Sequence, residues 1–146
     1  MEEKVMKYPI GIQNFQKLRE RGNVYVDKTR FVWELTQQDS PIFLSRPRRF
    51  GKSLFISTLE SYFLGKKELF EGLEISEYEK DWAVYPVLHL DLNVGEYDKK
   101  NSVRTVLKRF LVENKEKFGI SGGDYDDLGL EFYSMVKDKH SLRFTH

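Results

Sequence analysis

Apolar residues recur every three or four positions in several stretches of the chain, which is the spacing of one helical face. The strongest pattern starts directly after Lys52 and closes at Gly65, and it predicts a helix of about three to four turns. Weaker patterns predict helices near residues 15–22, 29–37, 66–70, 103–111 and 128–136. The aromatic residues of this part of the chain are expected in the core: Phe55, Tyr62, Phe63 and Phe70.

Two apolar runs have the length of strands and not of helices. Pro41 opens the run at 41–45, and Tyr85 and Pro86 precede a second run at 87–92. A shorter β-rich patch lies at 24–26, and residues 74–86 are interpreted as an irregular connection. The resulting order of strand, loop, helix, strand and helix favours a parallel sheet covered by helices. We therefore predict an α/β fold.

Composition narrows the class of protein. The 146 residues are 40% hydrophobic and 32% charged, as in one folded domain or part of one. The absence of cysteine excludes disulfides and thiolate metal sites and fits a reducing compartment. The N-terminus is too charged for a signal peptide, and no run approaches the roughly 20 apolar residues of a membrane span. We predict a cytoplasmic protein without a membrane partner.

The net charge of +1 hides an asymmetry along the chain. Residues 1–53 contain 11 Lys and Arg against 6 Asp and Glu, whereas residues 54–146 contain 13 against 17. The electrostatic field of the whole chain is too weak to indicate a partner. The excess of cations in residues 1–53 does fit a local anion site in that part of the chain.

The segment SRPRRFGKS at 45–53 ends in the Gly-Lys-Ser of a P-loop. In that motif the backbone N–H groups of a loop face phosphate oxygens, and the following helix adds about half a positive charge. Gly51 lets the backbone approach the phosphate, Lys52 suits the β- and γ-phosphates, and the Ser53 hydroxyl can hold Mg²⁺. These residues predict a nucleotide site.

The general P-loop pattern requires glycine where this chain has Arg46. Pro47 drives Arg46 toward an extended conformation, so the first turn of the loop is expected to differ from the usual one. Arg48 and Arg49 have two interpretations: they are ligands of phosphate, or they are solvated side chains. The loop as a whole also has a plain alternative, a basic surface turn, but a cation at a helix N-terminus is unfavourable unless an anion is present.

The chain resembles the AAA-ATPase-like family, whose members often carry a nuclease-like domain of the PD-(D/E)XK type farther along. Five blocks match in the family's order: YPIGIQNF at 8–15, YVDKT at 25–29, FLSRPRRFGKSLF at 43–55, LESYFLGKKELFEGLEI at 59–75 and YPVLHLDLN at 85–93. The resemblance covers residues 8–93 and weakens beyond them. Family members share the Arg-Pro-Arg-Arg-Phe-Gly-Lys-Ser form, so Arg46 is normal among them.

The resemblance implies a P-loop NTPase-type parallel sheet with flanking helices, incomplete at its C-terminal side. It also implies ATP and Mg²⁺ as cofactors. The cofactor-binding residues are then Arg48, Arg49, Phe50, Gly51, Lys52 and Ser53, with Ser53 as the metal ligand. A nuclease-like domain farther along would bring nucleic acid as a further partner, and no oligomeric state follows from the sequence.

The resemblance further implies a Walker B strand that ends in acidic residues, and no such strand is found after residue 93. We therefore expect residues 1–146 to be the N-terminal part of one ATPase domain. Its parts would be a lead-in at 1–40, a phosphate-binding unit at 41–93 and a helical continuation at 94–146. ATP hydrolysis is expected of the longer protein and not of this piece.

Several residues keep two interpretations. Asp91 is either a Walker B aspartate or a strand-end residue, and Tyr25, Asp27 and Thr29 either approach the base and ribose or serve as a core contact and a helix cap. For the whole chain, the alternative to ATP binding is a module that binds nucleic-acid backbone through the basic loop at 46–52. A third hypothesis is that the chain is a remnant that binds a protein partner and no small ligand.

Overall fold

Helices are the regular secondary structure found in the residues that the computed structural model describes, which are 7–38, 40–92, 102–120 and 127–137. They are α1 (Phe15–Glu20), α2 (Thr29–Thr36), α3 (Lys52–Phe63), a 3-10 helix (Lys67–Phe70), α4 (Ile75–Tyr78), α5 (Ser102–Phe118) and α6 (Leu128–Lys137). The chain divides into two units after Val87, and each unit is described by itself. None of the helices in these ranges is both long enough and apolar enough to cross a membrane.

The predicted α/β fold with a parallel sheet is wrong for the described residues, which contain no strand. The runs at 41–45 and 87–91 and the patch at 24–26 carry no regular secondary structure, and an isolated bridge joins Lys7 to Asn23. A strand inside a parallel sheet is covered on both faces, yet the Phe43 side chain is 91% exposed. Apolar composition alone was misleading, because a strand also needs a neighbour that satisfies its N–H and C=O groups.

The helices predicted from the apolar pattern are confirmed, and α3 begins at Lys52 as expected. The helix that the sequence did not predict is α4, which lies in the stretch read as irregular. Its four residues form one turn, which is too short to produce a periodic signal.

The core of the first unit is an aromatic cluster around Phe15 and Phe70, whose ring centroids are 4.9 Å apart. Phe55, Phe63 and Phe70 are buried, and Tyr62 packs against the cluster, which confirms the aromatic core. Val32, Leu69, Leu73 and Ile75 complete its buried part.

Gly65 ends α3 and directs the chain back over the core. Its φ of 67° is left-handed, and an added Cβ would lie 2.7 Å from Cγ2 of Val84 and 3.1 Å from the carbonyl oxygen of Trp82. A side chain at this position would therefore be strained both by the backbone and by its neighbours.

In the second unit, Phe110 and Leu111 of α5, Met135 of α6 and Leu88 of the segment before α5 form one buried cluster. The same interface contains an ion pair between Lys115 of α5 and Glu131 of α6, whose side chains are only 5% and 10% exposed. The attraction between two buried charges offsets the cost of removing both from water only while both partners are present. Loss of either partner removes this attraction while the other side chain stays almost fully buried.

We expect Lys115→Met to destabilise the second unit by about 3–5 kcal/mol, because Glu131 would stay buried without the attraction of the Lys115 ammonium group. Hydrogen exchange of the α5 and α6 amides measures this loss directly. The double change Lys115→Met with Glu131→Leu should recover most of the protection. The exposed Lys117, changed to Met, is the control on the same helix. Equal protection in the Lys115 and Lys117 variants would contradict the assigned role.

Candidate functional site

The candidate site is the turn that leads into α3. Gly51 is the N-cap, with φ 74° and ψ 19°, and the first helical hydrogen bond runs from the Phe55 N–H to the Gly51 carbonyl at 2.9 Å. The left-handed conformation suits glycine and strains other residues. No side chain caps α3, and its first turn contains no acidic residue. The amide groups at 52–54 therefore lack an intrahelical acceptor and present a partial positive charge.

The structure brings the six sequence-predicted residues together on the surface at this helix end. Arg48, Arg49 and Phe50 form the turn before Gly51, and Lys52 and Ser53 begin the helix; the side chains are exposed. Arg49 has a φ of 66°, which is uncommon for a residue with a side chain. The Phe50 side chain is 64% exposed, so its ring does not belong to the core.

Arg46, which stands where the general motif has glycine, packs on the first turn of α3. Its guanidinium carbon lies 6.0 Å from the ring centroid of Phe55, a buried residue. This is a cation–π contact, and it ties the start of the loop to the helix that follows. This contact does not follow from the sequence, because no periodicity relates a loop residue to a helical residue nine positions later.

Polar contacts fix α3 on the core beneath the turn. The Ser57 hydroxyl accepts the Phe15 N–H at 2.9 Å in a buried hydrogen bond. This bond links the backbone at the start of α1 to a side chain of α3, in addition to the packing between the two helices. The Tyr25 ring meets the Phe15 ring edge-on, with centroids 5.2 Å apart, and its hydroxyl is hydrogen-bonded with Thr58. Burial raises the pKa of Tyr25 above its ordinary value. Tyr25 is thus a core contact.

Asp27 and Thr29 join the start of α2 to the start of α4. The Asp27 carboxylate accepts the Thr29 N–H at 2.8 Å, the Thr29 hydroxyl at 2.7 Å and the Glu74 N–H at 2.7 Å. The Thr29 hydroxyl in turn accepts the Ile75 N–H at 3.1 Å. The N-cap of α2 is Lys28, which makes no side-chain capping bond, so neither residue is the N-cap of that helix. Asp27 and Thr29 instead accept backbone N–H groups at the starts of α2 and α4, which is a role in the framework.

The environment of Asp27 shifts its acidity. Partial burial raises the pKa of the carboxyl, but the hydrogen bonds from the Glu74 amide and from Thr29 outweigh this effect and lower it below its ordinary value. The folded protein therefore stabilises the ionised form of the Asp27 carboxyl group.

Asp91 and His89 are exposed and lie in a segment without regular secondary structure, so Asp91 does not stand at a strand end. Among the described residues, no group of three or more His, Cys, Asp or Glu side chains is arranged to hold a metal ion.

Comparisons with known proteins place the chain in a family. A family model described as "Predicted AAA-ATPase" matches residues 9–144. An "Uncharacterized protein in vnfD 5'region" of Azotobacter chroococcum mcd 1 is 42% identical over 137 residues, which are 92% of this chain and 26% of that protein. The chain thus spans about a quarter of this relative's length. No solved structure matches.

The effect of pH on Asp27 gives a first test of the site's framework. Because the folded pKa is lowered, the carboxylate stabilises the fold fully above its unfolded pKa near 3.8 and loses that contribution as the pH falls further. Asp27→Asn should be less stable than the wild type at neutral pH, and the gap should narrow below about pH 4. Urea denaturation, followed by the fluorescence of Trp33 and Trp82, measures both. A gap that stays constant down to pH 3 would disprove this account.

The contact of Arg46 with Phe55 gives a second test. Arg46→Ala should lower the free energy of unfolding by about 0.5–1 kcal/mol, as expected for a cation–π contact near the surface. The matched control is Arg48→Ala, an exposed arginine of the same loop, which should change stability by less than about 0.5 kcal/mol. The same urea titration compares the two. Equal losses would show that Arg46 has no special contact.

Proposed function

Because the chain belongs to the predicted AAA-ATPase family, we propose that residues 46–53 bind ATP with Mg²⁺. The observation that carries the proposal is the uncapped start of α3, with left-handed Gly51 followed by exposed Lys52 and Ser53. These are the parts that a phosphate-binding loop of the P-loop type needs at the junction of loop and helix. The proposal concerns this junction alone and requires no parallel sheet.

The charges of the loop fit a polyphosphate. Residues 46–53 contain four cationic side chains and no carboxylate, and the first turn of α3 contains no acidic residue. The space beside Gly51 is open, since an added Cβ would meet no atom within 4 Å. A negatively charged group can therefore approach the Gly51 backbone on this side without displacing protein atoms.

Each residue has a chemical role in this proposal. Lys52 neutralises charge on the terminal phosphates as a compact cation, and the amide groups at the start of α3 donate to phosphate oxygens. Arg48 and Arg49 add charge from the turn, and the Ser53 hydroxyl would hold Mg²⁺. When bound, the metal supplies charge neutralisation across the phosphates.

Binding, and not hydrolysis, is what these residues support. Hydrolysis of ATP also needs a group that orients water and acidic residues that help to hold the metal, and each charged side chain of the loop is a cation. We therefore propose that ATPase activity and the nuclease-like domain belong to a longer protein. The curated relative, of which this chain covers 26%, has the length that such further parts require.

The proposal is tested by thermal unfolding of the chain with and without Mg-ATP. A ligand at about 100 times its dissociation constant stabilises the folded state by about 2.7 kcal/mol. For a chain of this size, about 2–4 °C of Tm correspond to each kcal/mol. Lys52→Ala should reduce this shift by at least half, because the main countercharge is lost. Lys67→Ala, an exposed lysine outside the loop, is the matched control and should keep the full shift.

The dependence of binding on Mg²⁺ and on salt distinguishes the two hypotheses for the loop, which are ATP binding and nucleic-acid backbone binding. ATP binding should strengthen with Mg²⁺, whereas nucleic-acid backbone binding should show no nucleotide preference and should weaken steeply with salt. A shift that is unchanged in Lys52→Ala, or equal for ATP and an unrelated polyanion, would contradict the proposal.

A further inference from the structure

Phe50 is an aromatic residue at the surface of the turn that leads into α3. It is 64% exposed, whereas the next aromatic residue along the chain, Phe55, is 7% exposed and belongs to the core. Leaving a phenyl ring in water loses the free energy that its burial would contribute. A single exposed apolar side chain is nevertheless common on proteins, so the surroundings of the ring decide whether it has a role.

The backbone on both sides of Phe50 is left-handed. Arg49 has a φ of 66° and Gly51 a φ of 74°, and the first of these is unusual for a residue with a side chain. The two residues make the turn in which Phe50 stands at the surface, directly before the N-cap of α3. Consecutive Cα atoms are about 3.8 Å apart, so the ring is attached one residue away from the proposed phosphate position at Gly51.

The charges beside the ring restrict what can cover it. Residues 48–52 contain three exposed cations, Arg48, Arg49 and Lys52, and no carboxylate. A purely apolar partner would cover the ring but would also remove these cations from water without a countercharge, which is unfavourable. The partner that fits both features therefore combines a flat apolar face with several negative charges. A nucleotide has this combination in its base and its phosphates.

We propose that the Phe50 ring stacks on the base of the nucleotide whose phosphates lie at the start of α3, an inference that rests on the proposed function. Aromatic side chains stack on every nucleobase, because each base has a π face. Residues 46–53 include no Asn or Gln, the side chains that pair with adenine through two hydrogen bonds. The stack therefore distinguishes a nucleotide from a bare polyphosphate, and it does not distinguish one purine from the other.

The experiment is calorimetric titration of the chain with Mg-ATP and with Mg-tripolyphosphate, which carries phosphates without a base. Phe50→Leu keeps an apolar side chain and removes the aromatic face. It should weaken Mg-ATP binding about tenfold, within the range found for base stacking, and change Mg-tripolyphosphate binding by less than about twofold. Mg-GTP should lose as much affinity as Mg-ATP.

Phe31→Leu is the matched control, because Phe31 lies on α2, outside the loop, and is 54% exposed. It should leave the affinities for both ligands unchanged. An equal loss of Mg-ATP affinity in the two variants would overturn the proposal. So would an equal loss of Mg-ATP and Mg-tripolyphosphate affinity in Phe50→Leu, because the ring would then act on the shape of the loop and not on the base.

Phe50→Trp gives a spectroscopic test of the same contact. The larger ring should keep Mg-ATP binding, and the emission that it adds to that of Trp33 and Trp82 should be quenched by Mg-ATP and not by Mg-tripolyphosphate. The wild type, titrated in the same way, corrects for the two native tryptophans. Equal quenching by the two ligands would contradict stacking on the base.

Lys52→Ala separates this proposal from the one on which it rests. If Lys52→Ala weakens both ligands while Phe50→Leu weakens neither, the phosphate site is supported and the stacking is wrong. If the wild type binds neither ligand, or if Lys52→Ala leaves both affinities unchanged, the proposed function fails and the stacking fails with it.

Discussion

The left-handed backbone at Gly51 is the constraint on which the candidate site depends. A φ of 74° at this residue turns the chain from the basic loop into α3, so that the first amide groups of the helix face outward. The turn has a fixed position because α3 is held from below by the buried hydrogen bond between Ser57 and Phe15, and by the burial of Phe55. Arg46 joins the two ends of the loop through Phe55. The left-handed backbone at Gly51 and the aromatic core beneath α3 therefore together fix the position of this turn.

The sequence predicted this part of the molecule well because its signals are local. Helical spacing after Lys52, glycine on either side of the helix and clustered cations are properties of neighbouring residues, and α3 begins where they indicate. The predicted strands failed for the opposite reason. The run at 41–45 is apolar, but pairing and burial depend on distant partners, and the exposed Phe43 shows that the structure does not cover this run with a second layer.

The contacts that the sequence could not reveal join distant residues. Asp27 binds the Glu74 amide 47 positions away, and Lys115 meets Glu131 across two helices. From the sequence, Asp27 has two interpretations, a base or ribose contact and a helix cap, because a carboxylate suits both. The N-cap of α2 is Lys28, and the three hydrogen bonds of Asp27 to protein donors give it a role in joining the starts of α2 and α4. A polar residue that looks functional in a motif can thus be required by the framework that holds the functional turn.

Charge on this chain has to be considered element by element. A net charge of +1 predicts no affinity for anions, yet the loop at 46–53 has four cations without a carboxylate, and residues 102–112 of α5 have three. Screening limits the reach of exposed charges to about 8–10 Å at ordinary ionic strength, so distant acidic residues interfere little with the action of the loop on a ligand. The loop also places Lys52 in the first turn of α3, where the dipole disfavours a cation until an anion is bound. Anion binding would relieve this unfavourable placement at the start of α3, and for that reason we propose a ligand for this loop and none for the chain's overall charge.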